Sequence, residues 1–510
     1  MKKILILFLL IFNLILVGCN TNTTETETII ENQYQVDYFA MSEDYSLTDK
    51  NFLHIDEEII SLESGLFHSI LLTSRGRVLT WGDNQYGQLG NQTLDAKLIP
   101  TEITEFFNLD DEETIIQISA GAVHSAALSS ENRMFVWGNN DHSQLGDGTF
   151  GPFSYETKPK DITSEFSLET GNYLEKINLG TFHSAVLTSQ NRLFIWGNNE
   201  KGQIGNGTNI EQALPIDITS QFIFSEGEKI KHVELGNLNS AIITTNNRLF
   251  IWGDNTYGQI GNESFIDSYE PIDITSYFEL TNDEFIEKFS LGPVHSSALT
   301  SNNNLYMWGY NSDGLLGDQS TENINKPTNI MEYIVLGKNE IITDVTIGGS
   351  HSTFLTSENN FYIWGMNLYG ELGNDSTDSI NSPTFSTDII PLDNNDTIKF
   401  SSLGIRNSFI VTTQGNVFAW GFNEHGELGI NSNALILTPT KVHLFKPELI
   451  YSQNYNLDEE FNPYTPTRNN YEINNWYLNE NLSIEFDINN FSNDNIKLFG
   501  HWISKEELDR

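Results

Sequence analysis

The sequence predicts an all-β chain, a seven-bladed β-propeller with a small C-terminal β-domain. Three observations lead there. A Trp-Gly dipeptide recurs seven times at near-constant spacing, a Gly-x-x-His/Asn-Ser motif keeps step ahead of it, and two β-forming runs around a polar turn lie between them. The 510 residues are 38% hydrophobic and 12% aromatic, enough to bury a core of this size.

The chain opens with "MKKILILFLLIFNLILVGCN". Lys2 and Lys3 precede an apolar run from Ile4 to Val17, too short and too N-terminal for a spanning helix, which reads as a signal peptide over residues 1–18. Leu16-Val17-Gly18-Cys19 resembles the bacterial lipobox. That resemblance implies cleavage before Cys19, lipidation of its thiol, and a protein held on the extracellular face of the cell membrane. Cys19 is the only cysteine, so no disulfide framework and no cysteine-based zinc site is expected. Residues 19–51, polar and rich in Thr and Glu, read as a tether.

Residues 52–446 carry the repeat. Trp81, Trp137, Trp196, Trp252, Trp308, Trp364 and Trp420 are separated by 56, 59, 56, 56, 56 and 56 residues. Ahead of them stand Gly65, Gly121, Gly180, Gly236, Gly292, Gly348 and Gly404. Three residues after each glycine comes His68, His124, His183, His295 or His351, or else Asn239 or Asn407. Runs such as "HSAVLTSQNRLFIWG" read as hairpins whose Asn or Gly tolerates the positive φ of a tight turn. One further strand precedes each glycine, and another is expected after the proline of segments such as "LPIDIT". Four strands per unit in seven units make a closed propeller, which removes exposed sheet edges. The sequence leaves open which terminal strand closes the ring.

At these residues the chain resembles the regulator of chromosome condensation repeat family, over about three quarters of its length. The resemblance implies a seven-bladed propeller. Since His and Asn alternate at one repeat position, the histidines read as structural, bonding to buried backbone, with the glycines allowing close approach and the tryptophans filling the space between blades.

After Lys446 the pattern stops. Trp476 lies 56 residues beyond Trp420 but lacks the flanking motifs. Pro463-Tyr464-x-Pro466, Tyr471, Trp476-Tyr477 and Leu498-Phe499-Gly500-His501-Trp502 resemble the internalin B-repeat type of extracellular β-domain, here over 447–510. Asn470 and Asn475 stand where that family usually has glycine.

The formal net charge of −43 argues against DNA or RNA as a partner and favours cationic proteins or a saline medium. No metalloprotease, phosphate-loop, nucleophile-elbow or dinucleotide motif is present, and no cofactor or metal is expected. Binding is the expected function, with the chain a monomer. Two rings of blade-equivalent residues are the candidates. The first, in the hairpin turns, contains Arg77, Arg133, Arg192 and Arg248, a possible basic arc for an anionic partner, set against a reading in which each offsets neighbouring acids. The second, after Trp-Gly-x-Asn on the opposite rim, contains Tyr86, Tyr257 and Tyr369, amphipathic aromatics suited to protein contact or to local packing.

Three functions are weighed. One is a non-catalytic surface lipoprotein that captures proteins; the resemblance includes a bacterial propeller that inhibits β-lactamase. The second is nucleotide exchange on a small GTPase, the activity of the family's eukaryotic namesake, disfavoured by the signal peptide, the acidity and the lack of a long inserted wedge. The third is a secreted carbohydrate-active enzyme, for which no polar cluster breaks the seven-fold pattern.

Overall fold

The computed structural model describes residues 53, 57–393 and 395–444, together with the backbone strands Gln33–Met41, Pro447–Asn456, Thr467–Arg468, Tyr471–Ile473, Ile496–Gly500 and Trp502–Ser504. Cys19 lies outside these residues. Two compact units share the chain, one of residues 41–448 with 506–510 and one of residues 1–40 with 449–505.

The first unit is the seven-bladed propeller. Each blade is a four-stranded antiparallel sheet built from contiguous sequence. Blade 1 runs Ile59–Ser64, His68–Thr73, Val78–Gly82 and Lys97–Glu102, from inner to outer strand. Blade 7 runs Ile398–Leu403, Asn407–Thr412, Val417–Gly421 and Ile436–Val442. Blades 2 to 6 repeat the order between them. The second and third strands are buried along their whole length, for example His183–Thr188 and Leu193–Gly197. The turn between them places Asn132, Asn191, Asn247, Asn303 and Asn359 at φ near +60°, as the sequence requires.

The proline of each blade lies inside the outer strand, not ahead of it: Pro100 within Lys97–Glu102 and Pro215 within Gln212–Asp217. An outer strand has a free edge, so a missing N–H costs no ladder bond and the edge is blunted against further pairing.

Closure exchanges no complete strand between the ends. Blade 1 meets blade 7 through side chains and backbone bonds, from the Leu53 amide to the Leu444 carbonyl at 2.7 Å and from the Asn431 amide to the Leu98 carbonyl at 2.9 Å. Leu53, Leu62, Leu79 and Trp81 share a buried cluster with Phe409, Val417, Leu428 and Leu444.

Every seam between blades uses one device. At the first, Trp137 Nε1 and Ser125 Oγ of blade 2 both donate to the Gln88 carbonyl of blade 1, at 2.9 and 3.0 Å. The Ser125 proton is then committed to the carbonyl, so the 2.9 Å contact between His68 Nε2 and Ser125 Oγ is a bond in which the imidazole donates. The tryptophan and serine bonds recur at all seven seams. The imidazole bond recurs from His124, His183, His295 and His351 to the next blade's serine. The partner of Nε2 is thus a hydroxyl of the neighbouring blade, and His68 and His183 also interact with the Ala122 and Asn239 backbone of that blade. Burial holds these imidazoles well below their ordinary range, at about 4 for His68 and about 3 for the other four.

The glycines make room for this. A Cβ on Gly121 would stand 2.2 Å from the His124 ring and 2.6 Å from the Gly180 carbonyl of the next blade. Any side chain there would push the inner strands apart.

The second unit corrects the reading of residues 19–51 as a tether. Gln33–Met41 pairs in parallel with Ile496–Gly500, Val36 opposite Ile496 and Ala40 opposite Gly500, in a three-stranded sheet with Pro447–Asn456. Its alternating β-formers, "QYQVDYFAM", suit a strand, a signal masked by the Thr/Glu-rich stretch before it. The C-terminal β-domain therefore includes an N-terminal strand. A second small sheet joins Thr467–Arg468, Tyr471–Ile473 and Trp502–Ser504.

Candidate functional site

The hairpin-turn arginines form no free basic arc. Arg77 pairs with Glu57 and Glu102 at 2.8 and 2.9 Å. Arg133 pairs with Glu113 at 2.5 Å and Asp161 at 3.6 Å. Arg192 pairs with Asp217 at 2.8 Å, and Arg248 with Glu228 and Asp273 at 3.2 and 2.8 Å. The guanidinium of each of the last three also lies over a Phe ring of its own blade, at 4.6 to 5.0 Å. Where the outer strand lacks the acid, as at Asn329 and Phe385, the arginine is replaced: Asn304 and Asn360 donate instead to Glu284 and Glu340, both at 2.8 Å. The arginine follows its second carboxylate from blade to blade, as expected of internal charge balance.

The opposite rim is built from the Gly-x-x-His loops and the long loops after Trp-Gly-x-Asn. An asparagine locks each long loop: Asn84 Oδ1 accepts from the Leu89 amide at 3.0 Å, while its Nδ2 donates to the Thr93 and Asp95 carbonyls at 2.9 and 3.2 Å. The Tyr86, Tyr257 and Tyr369 amides donate to the side chain two residues on, Gln88, Gln259 and Glu371. All three tyrosines are half-buried on this rim, and they are not brought together. Tyr257 packs against Tyr310 with ring centroids 5.0 Å apart, whereas Tyr369 packs against Phe422 at 5.2 Å.

Sequence reasoning missed the residues that separate the two sides of this rim. In blades 1 to 4 the residue after Trp-Gly is Asp83, Asn139, Asn198 or Asp254, and each accepts from a glutamine five residues on, at 2.6 to 2.8 Å. In blades 5 to 7 that residue is Tyr310, Met366 or Phe422, and the glutamine becomes Leu315, Glu371 or Glu427. Aligning the seven motifs column by column would have exposed the switch.

The consequence is an aromatic platform across blades 6, 7 and 1. Phe422 lies 5.2 Å from Tyr369 and 5.8 Å from Phe67, and Phe67 lies 5.2 Å from His425. The Arg406 guanidinium covers Tyr369 at 4.7 Å and Phe422 at 5.9 Å. Leu368 beside it is exposed. Beneath it Glu371 is wholly buried, and burial pushes its carboxyl up to about 7 against weaker pulls downward from backbone amides and Arg406. Glu427 is also raised by burial; its carboxylate accepts from the His425 amide and imidazole at 2.9 and 3.0 Å. On the same rim, the long loops of blades 2 to 4 end in exposed Phe150, Phe153, Ile210, Phe265 and Ile266. The three extra residues of blade 2 fall in the loop that holds Phe153, 84% exposed at φ +64°.

Along the axis, the inner strands enclose a cavity of about 190 Å³. Glu63 lines it and is half-buried, and desolvation, then the charge of Glu234, pushes its carboxyl up to about 7. Among the described residues no group of three or more His, Cys, Asp or Glu could hold a metal, and no helix is long and apolar enough to cross a membrane.

Residues 105–454 match the RCC1-like domain, and residues 59–88 and 75–128 match the regulator of chromosome condensation (RCC1) repeat. The ultraviolet-B receptor UVR8 of Arabidopsis thaliana is 27% identical over 379 residues, 74% of this chain and 80% of the receptor. A bifunctional serine/threonine-protein kinase/NEDD4-like E3 ubiquitin-protein ligase of Dictyostelium discoideum is 28% identical over 63% of this chain, which spans only 19% of that protein. Prp20p of Saccharomyces cerevisiae superposes with a TM-score of 0.60 at 22% identity, covering 76% of this chain and 87% of that one. Human WBSCR16 gives 0.60 at 20%, covering 72% and 94%. At those identities the structural likeness is one of fold.

Proposed function

The chain belongs to the RCC1-like domain family, and from that premise we propose that it is a non-catalytic protein-binding propeller whose docking face is the rim of the long loops. One observation carries the reading. This rim gathers exposed and half-buried aromatic and aliphatic side chains around Arg406, whereas the hairpin-turn arginines of the opposite rim are neutralised within their own blades. Binding by a fold relative supports it: the solved yeast protein Prp20p is described with its binding to Gsp1p and histones, and is also solved bound to Kap60. Cys19 gives the rest of the proposal, a lipid anchor that holds the propeller at the outer face of the cell membrane, where adhesion, envelope organisation or inhibition of a secreted enzyme are open to it.

The test immobilises the full-length chain and exposes it to envelope and secreted proteins. Three proteins are compared: the wild type, a rim variant (Phe67→Ala, Tyr369→Ala, Phe422→Ala), and an opposite-rim variant (Arg192→Gln, Arg248→Gln). A partner held by the wild type and the opposite-rim variant but lost by the rim variant is the expected result. Equal retention by all three would remove the rim from the proposal. For the anchor, Cys19→Ala is expected to abolish labelling by radioactive palmitate and release the chain into the medium.

A further inference from the structure

Arg406 is anomalous twice over. It occupies the position just before the seam His or Asn, where the other blades place Phe67, Val123, Phe182, Leu238, Val294 and Ser350. It also makes no ion pair among the described residues, in a chain with 69 acidic and 26 basic residues, while each hairpin-turn arginine holds one or two carboxylates. Its guanidinium carbon lies 4.7 Å from the centroid of Tyr369 and 5.9 Å from that of Phe422, two rings nearly perpendicular to each other. A guanidinium held over aromatic rings keeps its N–H donors, and the contact has already taken part of the rotamer freedom that a bidentate bond to a carboxylate would cost. Its charge acts on Glu371, buried below, whose Oε2 is taken by the Tyr369 amide and whose Oε1 has no hydrogen-bond partner.

Resting on the docking-rim reading, we propose that Arg406 is the anion-receiving centre of the rim. It takes a carboxylate of a protein partner, an Asp or Glu side chain or a chain terminus, while an apolar neighbour of that carboxylate packs on half-buried Phe67 and exposed Leu368, which flank buried Phe422. Charge complementarity sets the rest of the partner. A chain of net charge −43 repels an anionic protein at long range, so the partner's contact patch is apolar and cationic around that single carboxylate. A second copy of this chain, equally acidic, does not fit.

Two measurements on the full-length chain test this. The first maps phenylglyoxal modification of arginines by mass spectrometry. Arg406 is expected to react about tenfold faster than Arg77, Arg133, Arg192 and Arg248, whose donors are committed to carboxylates. N-acetyl-phenylalanine is expected to slow the reaction at Arg406, and its uncharged amide is not. A reaction at Arg406 as slow as at the paired arginines, or equal protection by acid and amide, overturns the proposal.

The second measurement returns to a partner captured by the wild type. Arg406→Gln is expected to weaken it about 10- to 100-fold, and Arg406→Lys to restore only part of that because an ammonium cannot make the bidentate contact. If Phe422→Ala releases the partner and Arg406→Gln does not, the rim reading stands and the anion centre falls. If neither releases it, both fall. Concentration-dependent dimerisation of the chain that Arg406→Gln abolishes would make a second copy the occupant and overturn the assignment.

Discussion

Blades 1 to 4 and blades 5 to 7 share one backbone plan but differ as chemistry. In the first arc, a carboxylate or amide after Trp-Gly faces a buried glutamine, and every hairpin turn carries a paired arginine. In the second, an aromatic or Met faces Leu or Glu, and every hairpin turn carries Asn. The boundaries of the arcs fall at the two seams without an imidazole. Asn239 of blade 4 faces Ser296 of blade 5 with both side-chain polar atoms unpartnered, and Asn407 of blade 7 takes a bond from Ser64 of blade 1 at 3.1 Å. A repeat protein can thus vary its surface chemistry by arcs while the seam carbonyl, serine and tryptophan stay constant. The aromatic platform, half-buried Tyr369 and Phe67 around buried Phe422, centres on the arc where the polar pair was given up and reaches into blade 1 through Phe67.

Acid should break the seams unequally, and this is the largest effect expected. The five seam imidazoles are held neutral in the fold with lowered pKa, so the unfolded chain binds more protons. Stability is full above about 6.5 and falls as pH drops toward 4, by about 1.4 kcal/mol per pH unit for each histidine. Thermal melts across that range are expected to fall steeply. Loss of one histidine, in His183→Asn, is expected to flatten the fall, and an unchanged slope would show that other groups govern it.

Swapping the buried pair between arcs comes next. Gln88→Glu sets a carboxylate against Asp83 where an amide now donates at 2.8 Å. A loss of about 3 kcal/mol at neutral pH, partly regained in acid, is expected in chemical denaturation. Glu371→Gln runs the other way. Its carboxyl is raised to about 7 from 4.5, so its contribution is full below 4.5 and is lost as pH rises through 7. The glutamine variant should gain about 3 kcal/mol above pH 7 and nothing below 4.5. Equal gain at both ends would rule out the buried carboxylate as the cause.

Joining the arcs is a smaller step. Asn239→His gives Ser296 the imidazole donor that other seams possess, and about 1 kcal/mol of added stability is expected, with slower amide exchange in blades 4 and 5. The smallest effect is at the surface: Arg192→Gln removes a pair that is about one third exposed on both sides, and a double-mutant cycle with Asp217→Asn should couple them by no more than about 1 kcal/mol.

The repeat, the blade count and the tight turns were legible in the sequence, because a side chain buried at a fixed place in every blade must recur at a fixed interval. The glycines, Trp81 and its six counterparts, and the His/Asn column all announced themselves in this way. Whether an arginine is free or paired was not legible. Arg192 meets Asp217 only because the outer strand folds back beside the hairpin turn, 25 residues along the chain. Nor did Gln33–Met41 declare its partner Ile496–Gly500, since strand pairing across some 460 residues leaves no local mark. Arg406 breaks the apolar pattern of its repeat position, visible in any alignment of the seven units, but its worth came from a ring of its own blade and one that the packing of blade 6 on blade 7 brought to it. Periodic burial is a local constraint and is written into the sequence; charge balance and surface contacts depend on distances between remote segments, which only the tertiary structure sets.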